Sequence, residues 1–172
     1  MWQVFDEVGA TDDVIWLWSP NRVDDLKPSA TNGLTDMADD YPGDAYVDWV
    51  GASVYLRNVK TGPTYEASFG KTVDALEKVT DKPIFFAETA AVQISGGVDE
   101  SQLKSSWTSA VLTELADDPR VVGWLWFNNA KATVVNGVEV TNDWRFDSST
   151  PAADAFRSAV AGDAYASGVM PD

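Results

Sequence analysis

Four short apolar runs divide the chain, and each is typical of a buried β-strand. They contain few polar interruptions, as expected for parallel strands that are covered on both faces. Segments with the apolar spacing of helices fall between and after them, at 69–79, 99–115 and 151–160. The alternation predicts an α/β fold built from right-handed βαβ units around a parallel sheet. The four apolar runs are residues 14–18, 47–55, 83–88 and 121–127.

The segments around these runs carry their own signals. Residues 1–13 are typical of the end of a helix that leads into the first strand, and 134–138 predict a hairpin centred on Asn-Gly. Thr150 is expected to cap the last helix, with Pro151 in its first turn. Four βα units form either half of an eight-unit barrel or a small open sheet, and periodicity does not choose between them. Further turns are predicted at residues 32–33 and 96–97.

Composition narrows the class of protein. The chain has 172 residues, 45% hydrophobic and 23% charged, which fits one globular domain. No run approaches the roughly 18 apolar residues of a membrane helix, and no signal peptide pattern opens the chain. A formal net charge of −15 disfavours binding to nucleic acid or to an anionic membrane, because both need basic surface.

Two missing residue types limit the chemistry. The chain contains neither Cys nor His, which excludes Ser-His-Asp and Cys-His triads and any metal site with thiolate or imidazole ligands. Any catalysis therefore depends on carboxylates, Tyr, Lys or groups of the bound substrate. The eight Trp residues are suited either to flat, apolar sugar faces or to an ordinary core.

Specific motifs on the four apolar runs extend this picture. Residues 14–21 read VIWLWSPN, and residues 41–51 read YPGDAYVDWVG. KPIFFAET follows at 82–89, and WLWFN at 124–128 is followed by DWRFDSS at 143–149. In this order the motifs resemble the fifth to eighth strands of family 26 glycoside hydrolases. In that family the seventh strand ends in the nucleophilic Glu, and the last motif is similar to the eighth strand and its loop.

The resemblance implies a (β/α)₈ barrel whose site lies at the C-terminal ends of the strands. Residues 1–172 then correspond to the C-terminal half of the catalytic domain, a half-barrel of about four parallel βα units. Strands one to four, with the acid/base Glu that ends strand four, are expected upstream of Met1. The inward faces of the remaining strands, including Phe86, Trp16 and Trp126, would then lack their usual cover. The half-barrel is therefore expected to form a homodimer, to need its missing N-terminal half or to behave poorly in solution.

Glu88 is the catalytic residue that the resemblance implies. It ends an apolar strand in phase with Ile84 and Phe86, so all three are predicted to point into the barrel, where an unpaired carboxylate is costly. A structural ion pair is the alternative. The resemblance makes Tyr55 the partner that hydrogen-bonds the nucleophile, although Ser53 and Leu56 replace the Asp and Asn often found nearby in the family.

Four further residues are expected to bind substrate. The resemblance makes Trp126 the floor of the sugar site, and Trp18 is expected to line the cleft, although Trp residues in strands are more often core. Asn128 and Arg145 are expected to hydrogen-bond sugar hydroxyls at the rim.

Together these features predict retaining hydrolysis of a β-linked polysaccharide, such as mannan or a mixed-linkage glucan, without a metal or cofactor. Secretion of the full-length protein is expected. Two alternatives stay open: a carbohydrate-binding module, which needs the Trp platforms but no buried Glu, and a non-catalytic half-barrel that dimerises to cover its sheet edges.

Overall fold

The computed structural model of the chain describes residues 1–23, 37–57, 62–95 and 98–165, so the turns predicted at 32–33 and 96–97 lie outside the described residues. The helices are α1 (Trp2–Glu7), α2 (Lys71–Val79), α3 (Ser101–Asp117) and α4 (Thr150–Val160). A π-helical turn, Glu66–Gly70, leads into α2. The strands are β1 (Leu17–Trp18), β2 (Trp49–Val50), β3 (Ser53–Leu56), β4 (Ile84–Ala91), β5 (Ile94–Ser95), β6 (Val98–Asp99), β7 (Val121–Trp126), β8 (Ala130–Val135) and β9 (Val138–Asp143).

The main sheet is parallel, and its strands follow the order in which they occur along the chain. β1 pairs with β2, β2 and β3 both pair with β4, and β4 pairs with β7. β2 and β3 are thus two parts of one strand, interrupted at Gly51 and Ala52. The predicted four strands, and their order as neighbours, are confirmed.

Gly51 is needed where this strand is interrupted. A Cβ atom at Gly51 would lie 1.8 Å from the carbonyl oxygen of Phe85 on β4. The two backbones therefore approach more closely than any other residue type allows.

The core lies between one face of the sheet and the helices. Phe86 from β4, Phe69 from the π-helical turn and Trp107 from α3 are each 0% exposed, and their rings pack against one another. The indole N–H of Trp107 donates to Ser68 Oγ at 2.7 Å, so the one polar atom of that buried ring is satisfied. This layer accounts for the helical periodicity of the segments that form α2 and α3.

The opposite face of the sheet carries apolar side chains that are partly or largely exposed. Leu17 pairs in register with Trp49, and Trp49 stacks on Phe85 with ring centroids 5.4 Å apart. Ile15 is 57% exposed and Leu125 is 58% exposed. Because side chains alternate along a strand, we assign these five residues to one surface, named here the open face.

Phe86, Trp16 and Trp126 were expected on this inward surface, and that expectation is wrong. Phe86 is fully buried under the helices, and Trp16 packs edge-on against Phe5 of α1. Trp126 packs edge-on against Phe156 of α4. The residues of the open face alternate with these along the same strands.

Two local predictions have different outcomes. β8 and β9 form the predicted hairpin, and Asn136 and Gly137 have φ angles of 51° and 79°, which match a type I′ turn. The cap of α4 is one residue earlier than expected: Ser149, not Thr150, accepts a hydrogen bond from the backbone N–H of Ala152. Within the described ranges, no helix has the length and apolar character to cross a bilayer.

Candidate active site

Glu88 and Tyr55 meet on neighbouring parallel strands. Glu88 on β4 lies in register with Ser53 on β3, and Tyr55 follows two residues later. The Tyr55 hydroxyl donates to Glu88 Oε2 at 2.6 Å, the length of a strong charge-assisted hydrogen bond. Burial, and then this bond to Glu88, raise the pKa of Tyr55 far above its ordinary value. The phenol therefore keeps its proton at neutral pH and remains a donor to the carboxylate.

A β-bulge turns Glu88 away from the core. Its predicted common phase with Ile84 and Phe86 is wrong, because those two side chains are buried under the helices while Glu88 is exposed. The register of β4 against β7 shifts between Phe86 and Thr89, which breaks the alternation of side chains. Thr89 is 0% exposed and its hydroxyl donates to the Val54 carbonyl at 2.8 Å, so Glu88 is left on the accessible side.

Three aromatic rings form a cluster at this carboxylate. The ring centroid of Tyr55 lies 5.8 Å from that of Phe127 and 6.5 Å from that of Trp144. Phe127 and Trp144 are 6.0 Å apart, and all three pairs meet edge to face. The backbone N–H of Phe127 donates to the Thr89 carbonyl, one residue after Glu88. We call these three residues the aromatic trio.

Sequence reasoning missed two members of the trio, Phe127 and Trp144. The prediction assigned Trp126 to the site in place of its neighbour Phe127, although consecutive residues of a strand face opposite sides. Trp144 lies in the DWRFD stretch after the hairpin, where its proximity to Tyr55 depends on tertiary packing. The available signal was Phe127 itself, an aromatic residue directly after β7. Its side chain is expected on the side of the sheet opposite to the core residues Trp124 and Trp126.

The structure contradicts both Trp assignments to the sugar site. Trp126 lies among helical-layer rings, with its centroid 5.3 Å from Phe156, and its indole N–H donates to the Trp144 carbonyl at 2.7 Å. Trp18 packs edge-on against Tyr41 at 5.1 Å and lies in register with fully buried Val50. Both rings therefore belong to the helix-facing side of the sheet.

Asn128 and Arg145 brace the backbone beside the trio. Asn128 Oδ1 accepts from the Phe146 N–H at 3.1 Å. The Arg145 guanidinium pairs with Asp143 at 2.6 Å, and its side chain is 49% exposed. Burial opposes ionisation of Asp143, but the hydrogen bonds from Arg145 outweigh it and lower the pKa of that carboxyl. Contact of either residue with a sugar stays a prediction.

The carboxylates of the described residues do not form a metal site. Across the described part of the chain, no three or more carboxylates are grouped in a way that could hold a metal ion. The chemistry this site offers is that of an accessible carboxylate, a phenol that donates to it, and adjacent aromatic rings.

Comparison with known proteins assigns the chain to a family. The family model described as glycosyl hydrolase family 26 matches residues 1–109, more than half of the chain. The chain belongs to this family. The matched region of this family 26 chain includes Tyr55 and Glu88, whereas Phe127 and Trp144 lie beyond it.

One curated protein and one solved structure are also similar to the chain. Endoglucanase H of Acetivibrio thermocellus is 28% identical over 163 residues, which are 91% of this family 26 chain but 16% of the endoglucanase. A solved structure of a GH113 β-1,4-mannanase superimposes with a TM-score of 0.55 at 14% identity. That likeness covers 93% of this chain and 50% of the mannanase, and it confirms the α/β, partial (β/α)₈ fold. The chain thus spans about half the length of this structural neighbour.

Proposed function

We propose that Glu88 is the nucleophile of a retaining glycoside hydrolase site that acts on β-linked glycans. The observation that carries the proposal is the 2.6 Å hydrogen bond from Tyr55 to the accessible carboxylate of Glu88 on β4, a central strand of the parallel sheet. The phenol orients the carboxylate through this bond, and an oriented carboxylate is the group that attacks an anomeric carbon. The similarity of the chain to an endoglucanase and to a β-1,4-mannanase supports β-linked glucan or mannan as the substrate class.

The aromatic trio would supply the apolar surface for the sugar. Flat sugar faces pack on aromatic rings, and the exposed carboxylate of Glu88 is hydrogen-bonded to one member of the trio. Phe127 and Trp144 therefore replace Trp126 and Trp18 in the proposed site. Asn128 and Arg145 stay at its rim as proposed partners for sugar hydroxyls.

The same proposal makes residues 1–172 the C-terminal half of a barrel. A retaining mechanism needs a second carboxyl group, which protonates the leaving oxygen, about 5 Å from the nucleophile. By resemblance to the family, we propose that this group ends strand four, in the other half of the barrel. The uncovered open face supports a partner of this kind, which could be the missing half-barrel or a second copy of the chain. Action on polysaccharide also leads us to propose that the full-length protein is secreted.

Covalent trapping tests the nucleophile directly. An activated aryl β-glycoside with fluorine at C2 does not need an acid for departure of its leaving group, and the fluorine slows hydrolysis of the glycosyl-enzyme. We expect intact mass spectrometry to show one added sugar and peptide mapping to locate it on Glu88. Glu88→Gln should abolish the label, whereas the control Glu139→Gln, at an exposed hairpin position, should keep it. A label that survives in Glu88→Gln would refute the assignment.

Native polysaccharide provides the second test. Without its acid, a glycosidase loses on the order of 10²–10⁴-fold in rate, mostly on poor leaving groups. The isolated chain should therefore barely hydrolyse β-mannan or mixed-linkage glucan in a reducing-sugar assay. Strong hydrolysis that persists in Glu88→Gln would contradict both the nucleophile and the need for another half. Binding to the polysaccharide that persists in Glu88→Ala, without any trapping, would instead favour a carbohydrate-binding module.

A further inference from the structure

Three successive backbone carbonyls beside the aromatic trio are held by side chains from two other elements. Lys104 Nζ on α3 donates to the Asp143 carbonyl at 3.3 Å and to the Arg145 carbonyl at 2.6 Å. The Trp126 indole N–H on β7 donates to the Trp144 carbonyl between them at 2.7 Å. We call Lys104 and Trp126 the carbonyl clamp.

Lys104 occupies a position where a charge is costly. Its side chain is 0% exposed, and lysine is among the residues least often fully buried. The charged groups that act on it are Asp143 from β9 and Arg145 and Asp147 from the loop that follows. Burial is the largest influence, and it lowers the pKa of Lys104 to about 8. An apolar side chain would avoid this penalty, so the two carbonyl contacts distinguish the lysine from a simple core residue.

Trp144 depends on its backbone for its position. In the described residues, the buried indole nitrogen of Trp144 has no hydrogen-bond partner, so no polar contact fixes the ring itself. Its backbone N–H donates to the Asn129 carbonyl at 2.9 Å, and its own carbonyl accepts a hydrogen bond from the Trp126 indole N–H. The clamp and these neighbours therefore determine where the ring meets Tyr55 and Phe127.

We propose that Lys104 and Trp126 are positioning residues that hold Trp144 in the aromatic trio and so shape the sugar-facing surface beside Glu88. The sugar-facing role rests on the proposed function, whereas the positioning of Trp144 does not. The proposal also gives Trp126 a role in the site that differs from direct sugar contact, because it acts through the carbonyl of Trp144.

Fluorine NMR of the chain labelled with 5-fluorotryptophan tests the positioning. Trp144→Phe identifies the Trp144 signal among those of the eight Trp residues. Lys104→Met and, independently, Trp126→Phe should shift that signal by more than its linewidth. The matched control Lys78→Met, at an exposed position of α2, should leave it in place. An unshifted Trp144 signal in a folded Lys104→Met chain would overturn the proposal.

The pH dependence of the Trp144 fluorine signal tests the proposal even if the Lys104→Met chain does not fold. In the unmodified chain, the Trp144 signal should titrate with a midpoint near the lowered Lys104 pKa of about 8. That titration should be absent from Trp signals on the far side of the sheet, and from every signal of a folded Lys104→Met chain. A Trp144 signal that stays flat through this range would also overturn the proposal.

The consequence for the sugar site is tested with the same trapping reagent. Displacement of a positioned group typically lowers rates strongly, so Lys104→Met should reduce the second-order labelling rate of Glu88 about tenfold or more. If the unmodified chain does not label at all, the proposed function fails while the NMR result for Trp144 still stands. If labelling occurs but is unchanged in Lys104→Met, the proposed functional effect of the clamp is refuted.

Discussion

At the scale of single residues, the site depends on one short contact between two strands. The hydrogen bond from Tyr55 to Glu88 joins residues that are 33 positions apart in sequence. The carboxylate is both accessible and oriented, because Glu88 is exposed while the phenol donates to one of its oxygens. Arg57, whose guanidinium carbon lies 5.4 Å from the Tyr55 ring centroid, adds a cation–π contact to the same phenol ring.

Removal of the Tyr55 hydroxyl should slow trapping without loss of the fold. Tyr55→Phe keeps the ring and its packing in the trio but deletes the donor to Glu88. A hydrogen bond to a charged group contributes about 1.5–3 kcal/mol, so the labelling rate should fall roughly 10- to 100-fold. Tyr46→Phe, at a 44% exposed position, is the control. Equal labelling rates in the two variants would argue against a role for the Tyr55 hydroxyl.

Lys104 predicts a specific dependence of stability on pH. An unfolded lysine keeps its proton to about pH 10.4, whereas the pKa of folded Lys104 is lowered to about 8. Between these values the unfolded chain binds more protons, so this group makes the free energy of unfolding rise with pH. Urea unfolding of the unmodified chain should therefore gain stability relative to Lys104→Met as the pH increases through this window. A pH-independent difference between the two chains would contradict the prediction.

At the scale of elements, the sequence predicted the order of the strands better than it predicted the side of the sheet on which each side chain lies. Apolar runs and family motifs predicted the strands, their parallel sense and their neighbours, because these follow from local pattern and from the rules of βαβ connection. The side on which Glu88 lies depends on the bulge between Phe86 and Thr89, which a period-two pattern does not reveal. Trp126 was predicted to lie in the cleft because of the family resemblance, and Trp18 because a Trp residue suits sugars as well as cores.

The interruption between β2 and β3 gives a prediction at this scale. Gly51→Ala would place a Cβ atom 1.8 Å from the Phe85 carbonyl oxygen, so the strands must separate. We expect a loss of about 3 kcal/mol or more in the free energy of unfolding, measured by urea denaturation. Gly162→Ala is the matched control, because a Cβ there has no atom within 4 Å and its φ is not in the left-handed region. A similar stability for the two variants would mean that the sheet relaxes easily at Gly51.

At the scale of the whole molecule, exposed apolar surface and net charge have opposite effects on self-association. The open face exposes Ile15 and Leu125 by more than half, a surface suited to contact with another half-barrel. The formal net charge of −15 repels a second copy of the chain at long range. Added salt screens that repulsion and leaves apolar attraction largely intact, so we expect association to increase with ionic strength.

Sedimentation velocity should therefore show association that depends on protein concentration and on sodium chloride. Leu125 is 58% exposed on the open face, and its burial against a partner would contribute about 1.5–3 kcal/mol per copy. Leu125→Arg should weaken self-association about tenfold or more, because it replaces that contact with a charge that must be desolvated. Val134→Arg introduces the same charge at a 67% exposed hairpin position, so it should leave association nearly unchanged. A chain that stays monomeric at all salt concentrations would show that the open face does not pair with itself. Equal association of Leu125→Arg and Val134→Arg would mean that the contact lies elsewhere.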